Sequence, residues 1–314
     1  MQDVAAHASV MSNDDRIGEC LSRFGAALVP VGCGSWRITR LGDGAAPTTV
    51  VVDQDWLVVE QSFCDCRLAR VDDVQRWGWQ LLDAERNLPS GARPVLPAEE
   101  DLVRMRAERS LPPRLSGGED DELWRWIESA CVDVAHGAVA GLPPAAPEYD
   151  HGTRGRDEAV HLDLPALCEV AGWAATSRGA SGESLVALPS RNGDVCHAMA
   201  SVAGALVRFR VALEISAAAE TTPASLAAVA VALLRVAGSV RLIRSTLTQV
   251  DGKIGAALEV HMQAPIGPRA VDDALSSLAV AHRQVAAELD ALAGSDALAI
   301  AYLALQGQVD GNTK

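Results

Sequence analysis

A chain of 314 residues with 49% hydrophobic content is long enough for two domains, each with its own core. Its formal net charge of -14 is uneven, with 14 basic and 25 acidic residues through Asp150 and 13 basic and 16 acidic after it. Two lysines and scattered arginines do not supply the clustered positive surface that a phosphate backbone needs, so nucleic acid is excluded as an expected partner.

Residues 1–12 read as a flexible tail without the basic and apolar regions of a secretory signal. A helix is expected from Asn13, where Asn13-Asp14-Asp15 offers capping oxygens and Ile17, Cys20, Leu21 and Phe24 recur at helical spacing. Three β-type runs follow, Ser35 to Arg40, Thr48 to Asp53 and Trp56 to Phe63, separated by turn residues. In the last of them Leu57, Val59 and Phe63 alternate with Trp56 and Val58, so both faces should be covered. Val71-Asp72-Asp73 then opens a helix with Val74, Trp77, Leu81 and Leu82 as its buried stripe.

A hairpin comes next. In its second strand Val103, Met105 and Ala107 alternate with Arg104, Arg106 and Glu108, which predicts one buried and one wet face. After a Pro-Pro/Gly-Gly break, the helix DDELWRWIESACVDVAHG buries Leu123, Trp124, Ile127, Cys131 and Val134. The first module therefore spans 13–137, and 138–160, rich in Gly, Ala and Pro, reads as a linker.

Residues 161–294 repeat this order as a second module. A short helix near Leu164 to Ala171 leads into strands near 173–177, 184–188, 194–200 and 205–214. The apolar stretch from Ala224 to Val240 comes nearest to a membrane span, but Arg235 and Gly238 break it and no membrane partner is expected. Read as a helix from Pro223, it has Thr-Thr-Pro as its cap. A second hairpin follows, VRLIRSTL and KIGAALEVHM around Gln249-Val250-Asp251-Gly252, with Ile254, Ala256, Leu258, Val260 and Met262 on one face and His261 on a wet one. A long amphipathic helix closes the module, with His282 on its outward face, and residues 295–314 form a short helix and tail.

The fold class is thus α+β, with two tandem modules, each a twisted antiparallel sheet with helices on one side. The repeated order of helix, three strands, helix, hairpin and helix resembles the type III secretion chaperone-like fold, which includes the YbjN-type domains. That resemblance covers roughly 13–137 and 160–294 and implies a pseudo-dimer. It further implies a non-enzymatic protein that holds extended segments of other proteins, and it supplies no catalytic residues.

The residues themselves point the same way. The chain has no P-loop, no dinucleotide fingerprint, no HExxH and no GxSxG, so no catalytic residue is assigned. Cys64-Asp65-Cys66 offers half of a metal site, but no second close pair completes it, so neither metal nor cofactor is expected. His161 with Asp163 and Asp150 with His151 read as solvated loop. Seven scattered cysteines, an odd number, suit reduced thiols and a cytoplasmic location.

The partner-binding candidates are Trp36, Trp56 and Val58, large apolar groups on a second sheet face, together with Arg104, Arg106, Arg208 and Arg210. The alternative for the apolar trio is the interface between the modules, and for the arginines a solvated face paired with Glu108 and Glu214. The expected function is that of a chaperone-like or adaptor protein holding a segment of another protein. An assembly subunit of a larger complex, or a sensor with a small-molecule pocket between the modules, fits the same sequence.

Overall fold

The computed structural model of the chain describes residues 13–22, 28–38, 47–68, 74, 77–78, 80–82, 88, 90–111, 119–139, 162–178, 183–189, 195–213, 215, 222–250 and 253–307. The N-terminal tail and residues 140–160 of the predicted linker lie outside the described residues. So do His151, His161 and the side chains of Cys64, Cys66 and Glu214.

The first module opens on α1 (Asn13–Ser22) and lays down β1 (Leu28–Gly32), β2 (Ser35–Ile38), β3 (Thr48–Asp53) and β4 (Trp56–Arg67). That is four strands where the sequence predicted three. The additional one, Leu-Val-Pro-Val-Gly, carries no alternation because it lies at the sheet edge, largely exposed, where proline is tolerated. Helical residues Val74, Trp77, Gly78 and Leu81 precede the hairpin of β5 (Arg93–Val95) and β6 (Leu102–Ser110), and α2 (Glu119–Val139) closes the module.

The second module runs α3 (Leu164–Val170), β7 (Ala175–Arg178), β8 (Glu183–Pro189), β9 (Val195–Ala203) and β10 (Leu206–Leu213). It continues with α4 (Pro223–Ser239), β11 (Arg244–Val250), β12 (Lys253–Gln263), α5 (Pro268–Gly294) and α6 (Asp296–Gly307). The first sheet is ordered β1-β2-β3-β4-β6-β5 and the second β7-β8-β9-β10-β12-β11, all pairs antiparallel. Two dissimilar sequences therefore trace one topology, in which the penultimate strand of each module ends up at an edge.

The two edges left by β5 and β11 join the modules. The amide of Leu96, just past β5, donates to the Leu234 carbonyl of α4 at 2.9 Å, and that of Leu247 in β11 donates to the Leu82 carbonyl at 2.8 Å. Equivalent strands thus bond the partner module's middle helix, as in an isologous dimer. Close approach makes this possible: a Cβ at Gly78 would stand 2.8 Å from Cβ of Ala230, and one at Gly238 would stand 2.3 Å from the Leu96 carbonyl oxygen.

Helix α4 is the centre of the molecule. Residues 227–234 are buried without interruption, as expected for a helix apolar all round. Its N-cap is Thr222, whose Oγ1 accepts from the Ser225 amide at 3.3 Å. The stretch nearest to a membrane span is therefore a core helix, and among the described residues no helix is long and apolar enough to cross a membrane.

The alternation in β12 predicted a wet face, yet Ala257 and Glu259 are as buried as Leu258 and Val260, and the His261 side chain is only 4% exposed. Arg208 and Arg210 lie across this face on Glu259, and His261 bonds Glu259 and lines the junction, so His261 is not a surface histidine.

Candidate functional site

The charged face of the first sheet meets residues 238–243 of the second module at the junction. On the first sheet Val58 pairs with Glu108 and Glu60 with Arg106 across β4 and β6, while Arg93 of β5 pairs with Arg106. These residues share one face with Trp56 and Arg104. The Arg93 side chain is 2% exposed, donates Nη2 to Oε2 of Glu108 at 2.5 Å, and donates Nε to the Ile243 carbonyl of the other module. The same Glu108 oxygen accepts the Leu242 amide at 2.8 Å. A buried ion pair of the first module is therefore completed by backbone of the second.

The predicted binding residues have distinct places. Trp56 lies at the junction, its ring 5.1 Å from the Arg241 guanidinium of the other module. Val58 is 8% exposed on the same face. Trp36, expected on that second face, is corrected to the opposite one: it pairs with Val50 on the core-facing side of the sheet and packs on Gly18 of α1, 3.5 Å from a Cβ position there. Arg104 pairs with Glu60 and Glu100, and Arg106 pairs with Glu60 and donates to the Gly238 carbonyl at 3.3 Å. Arg208 and Arg210 both engage Glu259, a partner the sequence reading did not name. The structure thus brings Trp56, Val58, Arg104 and Arg106 together on one face, with Arg208 and Arg210 on the other sheet. Asp163, considered beside His161, caps α3 by accepting the Ala166 amide at 3.2 Å.

Glu259 has no exposed side-chain surface. Burial pushes its carboxyl up, but the hydrogen bonds of His261 and Arg208 and the Arg208 charge overcome this and hold it at about 2. Burial pushes His261 down, against the bond from its Nε2 to Glu259 at 2.8 Å. Both folded values lie below the ordinary 4.5 and 6.5, so both groups contribute stability that is full above those values and is lost as pH falls. We expect the unfolding midpoint to decline as the pH drops below 6.5, first through His261 and then, below 4.5, through Glu259. His261→Gln should flatten the upper part of that decline, and a variant with the wild-type slope would remove His261 from it.

Between the modules lies a cavity of about 840 Å³. That volume falls in the range of small-molecule sites. On the first module's side β6 supplies Glu108, Arg109 and Ser110, and α2 supplies Glu122, Arg125, Trp126 and Ser129, with Trp56 and Ser90 beside them. The second module supplies Leu242, His261, the turn 262–267 into α5, Ala270 and Asp273. Neither module alone encloses it.

Several lining groups carry signs of a functional site. Leu242 has φ of 64°, the left-handed region that a branched side chain rarely occupies, and its amide is held there by Glu108. Oγ of Ser90 and Oδ2 of Asp273 are buried and accept no hydrogen bond. The sequence reading did not single out Ser90, Ser129 or Asp273, because polar residues in helices and turns carry no signal until two modules are brought together. Trp126 did carry one: a large aromatic lying off the Leu123, Ile127, Val134 stripe of α2 needs a second surface.

No protein-family model matches the chain, and comparison with curated proteins found no match.

Proposed function

We propose that this chain is a non-enzymatic binding protein that holds a small ligand in the cavity between its two modules. The cavity itself carries the reading, since both modules line it and its volume of about 840 Å³ suits a small organic molecule. The lining charges are largely spent on one another: Arg109 on Glu122 at 2.6 Å, His261 on Glu259 and Glu108 on Arg93. That arrangement favours holding a ligand over acid–base turnover. The free thiols of Cys33, Cys168 and Cys196 support a reducing compartment, and on that ground we propose a cytoplasmic location.

A thermal unfolding series with the small-molecule fraction of a cell extract tests this. Wild type should rise in midpoint by mass action, and Ser129→Trp, which fills the cavity from α2, should not. Equal shifts in both proteins would place any ligand elsewhere.

A second reading, capture of a segment of a partner protein, has its own support in the edge strand β1. Val29 and Val31 there are 50% and 47% exposed, and among the described residues one side of the strand lacks a neighbour in the sheet. The likeness to type III secretion chaperones belongs to this reading.

A further inference from the structure

We propose that the cavity takes a small organic cation, an amine or amidine carried on a flat apolar body, with the Asp273 carboxylate as counter-ion and Ser90 as a second acceptor. This deepens the cavity reading above and rests on it.

Most of the charged groups that line the cavity already have partners. Glu108 is bonded to Arg93 and to the Leu242 amide, Arg109 to Glu122, and His261 to Glu259. Arg125 stands at the rim, exposed, and donates Nε to the Asp121 carbonyl at 3.2 Å. Asp273 differs from all of these. It lies in the first turns of α5, where Ser110 hydrogen-bonds the carboxyl, yet its Oδ2 is shielded from solvent and accepts nothing.

Burial pushes this carboxyl up against the pull of Arg269 and Ser110, and the charges of Asp272 and Asp55 add to the push. Arg269 is itself committed to Asp55 at 2.8 Å. A carboxylate only accepts hydrogen bonds, so the partner Asp273 lacks is a donor, and a positively charged donor offsets its burial best.

Ser90 supplies an independent observation from the other module. It is 8% exposed, and its amide donates to Asp133 at 3.0 Å while its Oγ has no partner. Both oxygens are closed off as the chain stands, so the ligand reaches them by turning the side chains to another staggered position. The apolar part of the cavity matches a flat body. Trp126 and Ile266 line it, and Trp56 beside them already accepts a guanidinium on its ring.

Three isosteres that differ in charge decide the matter: benzamidine, neutral benzamide and anionic benzoate, titrated calorimetrically into the full chain, Asp273→Asn and Ser129→Trp. Benzamidine should bind wild type more tightly than the other two, lose roughly tenfold in Asp273→Asn, the scale of one charge-assisted hydrogen bond, and be lost in Ser129→Trp. The unfolding midpoint of Asp273→Asn should stay at the wild-type value or above it. If benzamide or benzoate binds as tightly, or Asp273→Asn leaves benzamidine unaffected while Ser129→Trp abolishes it, the cation class is overturned and the cavity reading survives. If none of the three binds, or Ser129→Trp changes nothing, both fall.

Discussion

Gly238→Ala should destabilise the chain by on the order of 3 kcal/mol, the scale of forced overpacking. In an ordinary helix the same change gains about 1 kcal/mol, because alanine loses less backbone entropy than glycine. Here the sign inverts, since the added Cβ meets the Leu96 carbonyl oxygen at 2.3 Å and its carbon at 2.7 Å. Both atoms are backbone and cannot swing aside. Separating them strains the Leu96 to Leu234 hydrogen bond that ties β5 to α4. Urea unfolding with the slope held fixed measures the change. A stabilised variant would mean that the modules do not approach as described.

Arg93→Ala should cost about 3 kcal/mol, near the lower end expected when one partner of a buried ion pair is removed. Glu108 would be left at 2% exposure with the Leu242 amide, and with Arg106 and Arg241 each 3.8 Å from its other oxygen. Those two arginines soften the loss but do not cancel it. Arg93→Met with Glu108→Leu should recover much of the stability, because the greater part of the single-variant loss is an uncompensated charge. Because Arg93 also donates to Ile243, the single variant should loosen the modules, visible as faster amide exchange at Leu96 and Leu247. A double variant as unstable as the single one would assign the loss to packing instead.

Most of the fold is legible in the residues. The runs of β4, β6, β10 and β12 alternate cleanly enough to mark strands, and α4 and α5 announce themselves by apolar stripes and Thr-Thr-Pro or Pro/Gly starts. β1 escapes because a short edge strand with a central proline buries little and so has no pattern to keep. The junction is harder to read for a different reason. Alternation places Glu259 and His261 on a polar face, and nothing local says whether water or another module covers it. In the event Glu259 has no exposed surface and its charge is met by Arg208, Arg210 and His261. Trp56 and Val58 were the best clue, since apolar groups on a second face demand a cover, and Arg241 with its neighbours provides it. The cavity leaves the faintest trace of all. Its walls come from β6, α2, the 262–267 turn and α5, which the chain keeps far apart until both modules have folded.

The most direct measurement is native mass spectrometry of the intact chain, purified gently and without heating, beside Ser129→Trp. Wild type should carry one small added mass that the variant lacks and that disappears on denaturation. A bare wild-type mass, or one carrying a bound protein retained equally by the variant, would contradict a ligand site between the modules.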